Sequence, residues 1–392
     1  MRGSIGREQP PWQSRYWKIA GAPIHTGATM AEQNDLTAEY GAVRDEEQLD
    51  WDALAAYLRG RIPGADAPMR VLQFRGGSSN LTYLLEFGEH QWVVRRPPFG
   101  PLPVGGHDMA REFRVLSRLW QSFKPAPRAW LFCDDASVIG APFFVMERRR
   151  GIVFKNRQPV PAALGNDPET FRKISEGFID TLADLHRVDY AAIGLQDLGR
   201  AEGFLKRQIV GWMKRWEAAK TREVPLMEKL GAWFLEHMPP AQPPTLLHND
   251  FYLHNLMLDA RAPGIVVAVF DWEMSTLGDP MIDLGIALGY WRERSDAELL
   301  AIAEIEPHTL KRGFLGRAEL ANRYALRTGR DLRDLPYYWA WAHWKSATVG
   351  EQIYVRYVRG QTTDPRFAVM GRGSPALAAA AARILAPLGF RA

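Results

Sequence analysis

The feature that most constrains this chain is a forty-residue stretch, residues 246–285. It opens on His248, with Asp250 two positions later and Asn255 five positions beyond that, and an apolar run at 265–270 then delivers Asp271. The apolar segments predict a strand pair, residues 256–258 and 265–270, with Asp250 in a short irregular loop before it and Asp271 where the second strand ends.

An acid and an amide on one loop, with a second acid at a strand end, is the layout that phosphoryl transfer needs. Asp250 suits the catalytic base. An alcohol is not deprotonated in advance near pH 7, so a carboxylate within hydrogen-bond reach orients it and takes its proton late. Asn255 offers a neutral oxygen and Asp271 an anionic one, a donor set that suits Mg²⁺ (or Mn²⁺) while leaving positions for water and for the phosphates of ATP or GTP. His248 reads as a buried brace for the loop rather than a chemical group. The strings of rival chemistries are absent: there is no G-x₄-G-K-[ST], no G-x-G-x-x-G, no H-E-x-x-H and no G-x-S-x-G.

What precedes the stretch agrees with it. Residues 69–74, 81–87 and 91–95 read as a β-meander after a short helix at 49–58. Its first connection is Arg75 followed by Gly76, Gly77, Ser78, Ser79 and Asn80, a small-residue loop that lets backbone approach phosphates closely, though such residues also mark plain turns. Arg95 ends the third strand, where a kinase places the cation for the α- and β-phosphates. Glu112, on a helix expected at 107–121, can pair with Arg95 or stand as a solvated helix charge. Strands at 128–132 and 142–147 complete a five-stranded sheet. Met146 and Glu147 lead into a hinge at 148–151 whose backbone would meet adenine, and Arg148, Arg149 and Arg150 read as a solvated charged turn.

From residue 168 onward the period becomes helical: 169–186, 204–216, 224–237, 281–290, 297–304, 310–327, 336–359 and 375–385. The seventh of these is rich in aromatics. Trp339, Trp341, Trp344 and Tyr354 are candidates to line an acceptor site, with core packing as the alternative for each.

The chain of 392 residues is long enough for two lobes. The expected organisation is α+β: an extension at 1–45, a β-rich lobe with one helix at 46–150 and a larger helical lobe at 151–392. Residues 1–30 lack the apolar core of a secretory signal; disorder is the expectation, with a transit peptide as the alternative, and Met30 is an alternative start. No apolar run is long enough to cross a membrane. One cysteine, Cys133, excludes an intramolecular disulfide and points to a reducing, cytoplasmic setting. The net charge of +4 is scattered rather than gathered into a stripe, which gives no support for nucleic acid as a partner.

With these residues in view, the sequence resembles the aminoglycoside phosphotransferase and choline kinase-like branch of the protein-kinase-like fold. The family string H-G-D-x₄-N followed by I-D-W/F-E is matched by His248-Asn249-Asp250, Asn255 and Phe270-Asp271-Trp272-Glu273. Leu277-Gly278-Asp279-Pro280 with Asp283-Leu284 continues the match, as do the loop from Arg75 to Tyr83 and Leu185-His186. A narrower likeness, through Val94-Arg95-Arg96-Pro97-Pro98, His107, Arg111-Glu112-Phe113, Arg150-Gly151, Val153-Phe154, Tyr354, Arg356 and Gly360, is to the phosphotransferase domain fused to acyl-CoA dehydrogenases. The resemblance implies a two-lobed small-molecule kinase, Asp283 as a support of the site, and a hydroxyacyl-CoA as one acceptor class.

Three departures qualify it. Asn249 stands where the family has glycine, so the loop needs a residue that tolerates the left-handed region, which asparagine does best after glycine. Arg95 stands where the family has lysine, with a different phosphate geometry. No A-P-E follows Asp271, which argues against protein substrates. The rival readings are a pseudokinase-like nucleotide-binding module and an antibiotic phosphotransferase acting on aminoglycosides or macrolides.

Overall fold

The computed structural model describes residues 39–75, 80–100, 107–361 and 365–392. The expected phosphate-loop residues Gly76, Gly77, Ser78 and Ser79, and most of the extension, lie outside the described residues. Two compact units emerge. The first runs up to Trp120 and resumes over Ala126–Arg149; the second comprises Gln121–Pro125 and Arg150–Ala392.

The first unit contains β1 (Tyr40–Gly41), α1 (Trp51–Leu58), β2 (Met69–Phe74), β3 (Leu81–Phe87), β4 (His90–Arg96), α2 (Met109–Leu119), β5 (Ala129–Cys133), α3 (Ala136–Ile139) and β6 (Phe143–Glu147). They form one antiparallel sheet in the order β1-β2-β3-β4-β6-β5. The β2–β4 meander follows the predicted runs because each strand offers an apolar face; Leu85, Phe87, Trp92 and Val94 pack with Leu54 and Leu58 of α1 in one core. Asp50 starts α1 by accepting the Ala53 N–H at 2.9 Å.

The sheet has six strands where five were expected. Strand β1, two residues long, comes from the stretch taken as extension and pairs with Phe74 and Gln73 of β2. Arg148 follows it inward: its guanidinium bonds Glu39 at 2.8 Å and lies 4.9 Å from the Tyr40 ring centroid. The side chain of Arg148 is 8% exposed, which corrects the reading of this residue as a solvated charge.

The second unit contains β7 (Ile152–Val153), α4 (Pro168–Leu185), α5 (Phe204–Ala219), α6 (Pro225–Glu236), β8 (Thr245–Leu247), β9 (Leu256–Leu258), β10 (Val266–Val269), β11 (Thr276–Gly278), α7 (Met281–Tyr290), α8 (Ala297–Leu300), α9 (Arg317–Thr328), α10 (Leu335–Val358), α11 (Pro365–Ala368) and α12 (Gly373–Leu385). The helix expected over 310–327 begins only at Arg317, where the Gly316 N–H is capped by the Glu319 carboxylate at 2.7 Å. The long α10 is buried on most of its faces and packs against α7 and α12. No helix among the described residues is long and apolar enough to cross a membrane.

Two small ladders position the site. Strand β8 pairs with β11, and β9 pairs with β10 on one side and β7 on the other. The turns that carry Asp250 and Asp271, residues 248–255 and 270–275, both run from one of these ladders to the other. Gly151 admits β7 to β9, since a Cβ there would sit 2.2 Å from the Leu258 carbonyl oxygen.

Candidate active site

The turn after β8 is held from several sides. Asp283, fully buried on α7, accepts the main-chain N–H of His248 at 2.6 Å and of Asn249 at 2.7 Å. A buried carboxylate taking two main-chain N–H groups fixes the turn, because each charge-assisted bond is worth about 1.5–3 kcal/mol and an orphaned donor costs as much. Behind Asp283 stands His186, 3.3 Å away through Nε2, with its Nδ1 2.7 Å from the Tyr324 hydroxyl.

The His248 ring bonds main-chain groups on both turns. Its Nδ1 accepts the Asp250 N–H at 3.2 Å, so its proton sits on Nε2, which donates to the Phe270 carbonyl at 2.9 Å. Asn249 adopts φ +64°, the left-handed region expected of the residue that stands in glycine's place, and its side chain donates to the Met274 carbonyl at 2.8 Å. Asn255 Nδ2 donates both to the Asp250 carbonyl at 2.9 Å and to Asp250 Oδ2 at 3.0 Å, which sets the orientation of that carboxylate.

Asp271 leaves β10 in the left-handed region, φ +71°, a strained conformation for a residue with a Cβ. The strain is held by its neighbours: the Phe270 N–H donates to the Asn255 carbonyl at 2.8 Å, and Trp272 Nε1 donates to the Val269 carbonyl at 2.7 Å. The first of these bonds ties the Asn255 and Asp271 turns together. Both side chains are buried. Among the described residues no three His, Cys, Asp or Glu side chains gather to hold a metal by themselves. One amide and one carboxylate are a donor set that fits Mg²⁺, which takes few protein ligands and completes its shell with water and phosphate.

In the first unit Arg95 and Glu112 come together, Nε to Oε2 at 2.9 Å, both nearly buried. This is charge pairing more than an aligned hydrogen bond, since that N–H does not point along the contact. Asn80 Oδ1 lies 2.7 Å from His107 Nδ1, so the end of the phosphate-loop candidate is tied to the segment entering α2. Met146 sits within the sheet opposite Val93 and Ala129. The Glu147 N–H donates to the Arg128 carbonyl at 2.9 Å and its carboxylate takes the Arg128 N–H at 2.8 Å and Arg149 at 2.6 Å, so these groups already serve the unit.

Of the α10 aromatics, Trp344 needs correction. Trp344 is core: it is 1% exposed, donates from Nε1 to the Met227 carbonyl at 3.0 Å and packs on Phe234. Tyr354 lies against Gly371 beneath the Arg222 guanidinium, 5.4 Å from its ring centroid. Trp339 is capped by Arg317 at 4.4 Å. The helix face that turns toward the Asp250 loop carries Trp341 and Lys345 instead. Lys345 Nζ donates to the Asn249 carbonyl at 3.3 Å and lies 5.7 Å from the Trp341 ring. Burial lowers its pKa to about 8, against the opposing pull of Asp250 and Asp283.

Beside Asp250 a ring cluster also escaped the sequence reading. Tyr252 stacks on the exposed Tyr290 at 4.6 Å, and His254 lies 5.3 Å from His308. Burial raises the Tyr252 pKa well above its ordinary value, with Asp250 adding to the effect, and burial holds His254 down to about 3. His254 is therefore neutral, and the signal for the cluster was the alternation of Tyr252 and His254 inside the motif itself.

A model of the phosphotransferase enzyme family matches residues 70–320. Acyl-CoA dehydrogenase family member 10 of Mus musculus is 31% identical over 376 residues, covering 95% of this chain and 34% of its own length. This chain thus spans about a third of that relative. A solved structure from Ralstonia eutropha JMP134, named as a candidate aminoglycoside phosphotransferase, is 30% identical with a TM-score of 0.75, covering 87% of this chain and 99% of that one. Choline kinase from Cryptosporidium parvum Iowa II shares the fold, with a TM-score of 0.56 at 14% identity, covering 87% of this chain and 97% of that one.

Proposed function

The chain belongs to the phosphotransferase enzyme family, and from that premise we propose that it is a kinase, moving the γ-phosphate of ATP or GTP to the hydroxyl of a small molecule. The observation that carries the reading is the Asp250 carboxylate, oriented by Asn255 and braced by His248, on a turn bonded to the one that presents Asp271. Asp250 orients the acceptor hydroxyl and takes its proton as the bond to phosphorus forms. Asn255 and Asp271 would hold Mg²⁺, which when bound neutralises charge on the phosphates. Arg95, pinned by Glu112, would hold the α- and β-phosphates.

Tyr252 and the exposed Tyr290 are the acceptor-side surface we favour over Trp339, Trp344 and Tyr354, because Tyr252 stands two residues from Asp250 and stacks on Tyr290, whereas Trp344 is buried in the core. The acyl-CoA dehydrogenase relative suggests a hydroxylated acyl-CoA as the acceptor class to try first. Buried Cys133 fits a reducing compartment such as the cytoplasm. The test is ADP or GDP formation with Mg²⁺ over a panel of hydroxyacyl-CoAs, amino alcohols, sugars, aminoglycosides and macrolides. A hydroxyl-dependent rise with one class supports the reading. Nucleotide binding without turnover across the panel would point to the pseudokinase alternative.

A further inference from the structure

Lys345 is a cation in a place where cations are rare. It sits two-fifths of the way along α10, 7% exposed, between the rings of Trp212 and Trp341 at 5.7 Å each, and its ammonium donates to the Asn249 carbonyl at 3.3 Å. Burying an ammonium is unfavourable unless it is paired. The pairing here is specific: the carbonyl it grips is that of left-handed Asn249, immediately before Asp250, and the N–H groups of Asn249 and of His248 before it are gripped by Asp283.

We propose that Lys345 is a positioning residue for phosphoryl transfer: it clamps the inverted Asn249 peptide against Asp283 and supplies the positive charge that offsets the carboxylates around the base. This rests on the reading of Asp250 as that base. The clamp acts through charge. An ammonium holds a carbonyl with a charge-assisted bond, whereas a neutral amine donates weakly. Once the amine is neutral, Asp250 faces an incoming polyanion without that compensation. The groups facing Lys345 are Asp250 on the loop, Asp283 on α7 and Arg215 on α5, and the two carboxylates hold its proton while burial and Arg215 release it. A lysine that titrates near 8 makes the clamp sensitive to mild alkali.

The test uses the full chain in four forms: wild type, Lys345→Met, Lys345→Arg and Asp250→Asn. Turnover is read as ADP formation across pH, with acceptor or with water. Wild type should lose kcat as pH rises through about 8. Lys345→Arg should keep its rate to higher pH, because guanidinium stays charged. Lys345→Met should lose on the order of 10²-fold in kcat, as a misplaced base does, with KM for nucleotide within about threefold. A Lys345→Met enzyme within about twofold of wild type, or one that keeps the alkaline loss, overturns the proposal.

If turnover survives in Asp250→Asn, it is the reading of Asp250 that fails. An activity-free measurement separates the two and covers a variant that does not fold. In lysine-¹³Cε NMR, the Lys345 titration should move to lower pH in Asp250→Asn, since a carboxylate that favours the ammonium has gone. An unmoved titration overturns the proposal.

Discussion

Asn249 concentrates the character of this site in one residue. Its φ of +64° is where asparagine is tolerated and β-branched residues are not. Asn249→Gly relaxes the backbone but gives up the bond to the Met274 carbonyl, so its stability should stay within about 1 kcal/mol of wild type. Asn249→Val loses the bond and adds strain, and should cost about 2–4 kcal/mol in urea unfolding. Equal stability of the two variants would show that the inverted peptide is not strained. At this scale much of the site was legible: Asp250, Asn255, Asp271, Asp283 and the Arg95–Glu112 pair sit where a motif reading can look for contacts. Lys345 was not, because nothing in an aromatic-rich helix says which turn of it faces a distant loop. Trp344, buried in the core, was misread for the same reason. Tyr354 stands nine positions past Lys345, about 13 Å along the axis.

Elements legible in advance are those long enough to show a period. Strands β2 and β3 follow the expected runs because alternation over six and seven residues fills one face of a sheet. Strands β1, β7, β8 and β11, two or three residues each, carry no period, yet β8 and β11 anchor the catalytic turns. Their pairing is a tertiary fact. The close packing of α7 on α10 is another, and Gly285 permits it: a Cβ there would lie 2.6 Å from the main chain of Tyr338. Gly285→Ala should therefore destabilise by about 2–3 kcal/mol or more through forced separation of the helices. Gly289→Ala, whose Cβ would meet the Ala342 Cβ at 3.3 Å, should be the milder of the two in the same denaturant series. The reverse order would mean that α7 does not sit tightly at Gly285.

On the scale of the whole molecule, the change from strand to helical periodicity speaks for two parts, but it does not reveal that Gln121–Pro125 belongs with the second unit. That assignment comes from the Val269 N–H, which donates to the Pro125 carbonyl at 2.8 Å, and from Phe123 packed on Trp272. Binding of Mg·ATP by the folded chain alone should raise its melting temperature. At a hundredfold excess over Kd the gain is about 2.7 kcal/mol. Asp271→Ala should lose most of the Mg²⁺-dependent part of that shift, and an undiminished shift would remove Asp271 from the metal.

The most direct measurement is turnover by Asp250→Ala beside its affinity for Mg·nucleotide. The account predicts a fall in kcat of roughly 10²–10⁴-fold, with nucleotide affinity changed by no more than about threefold. Turnover at the wild-type rate would contradict it.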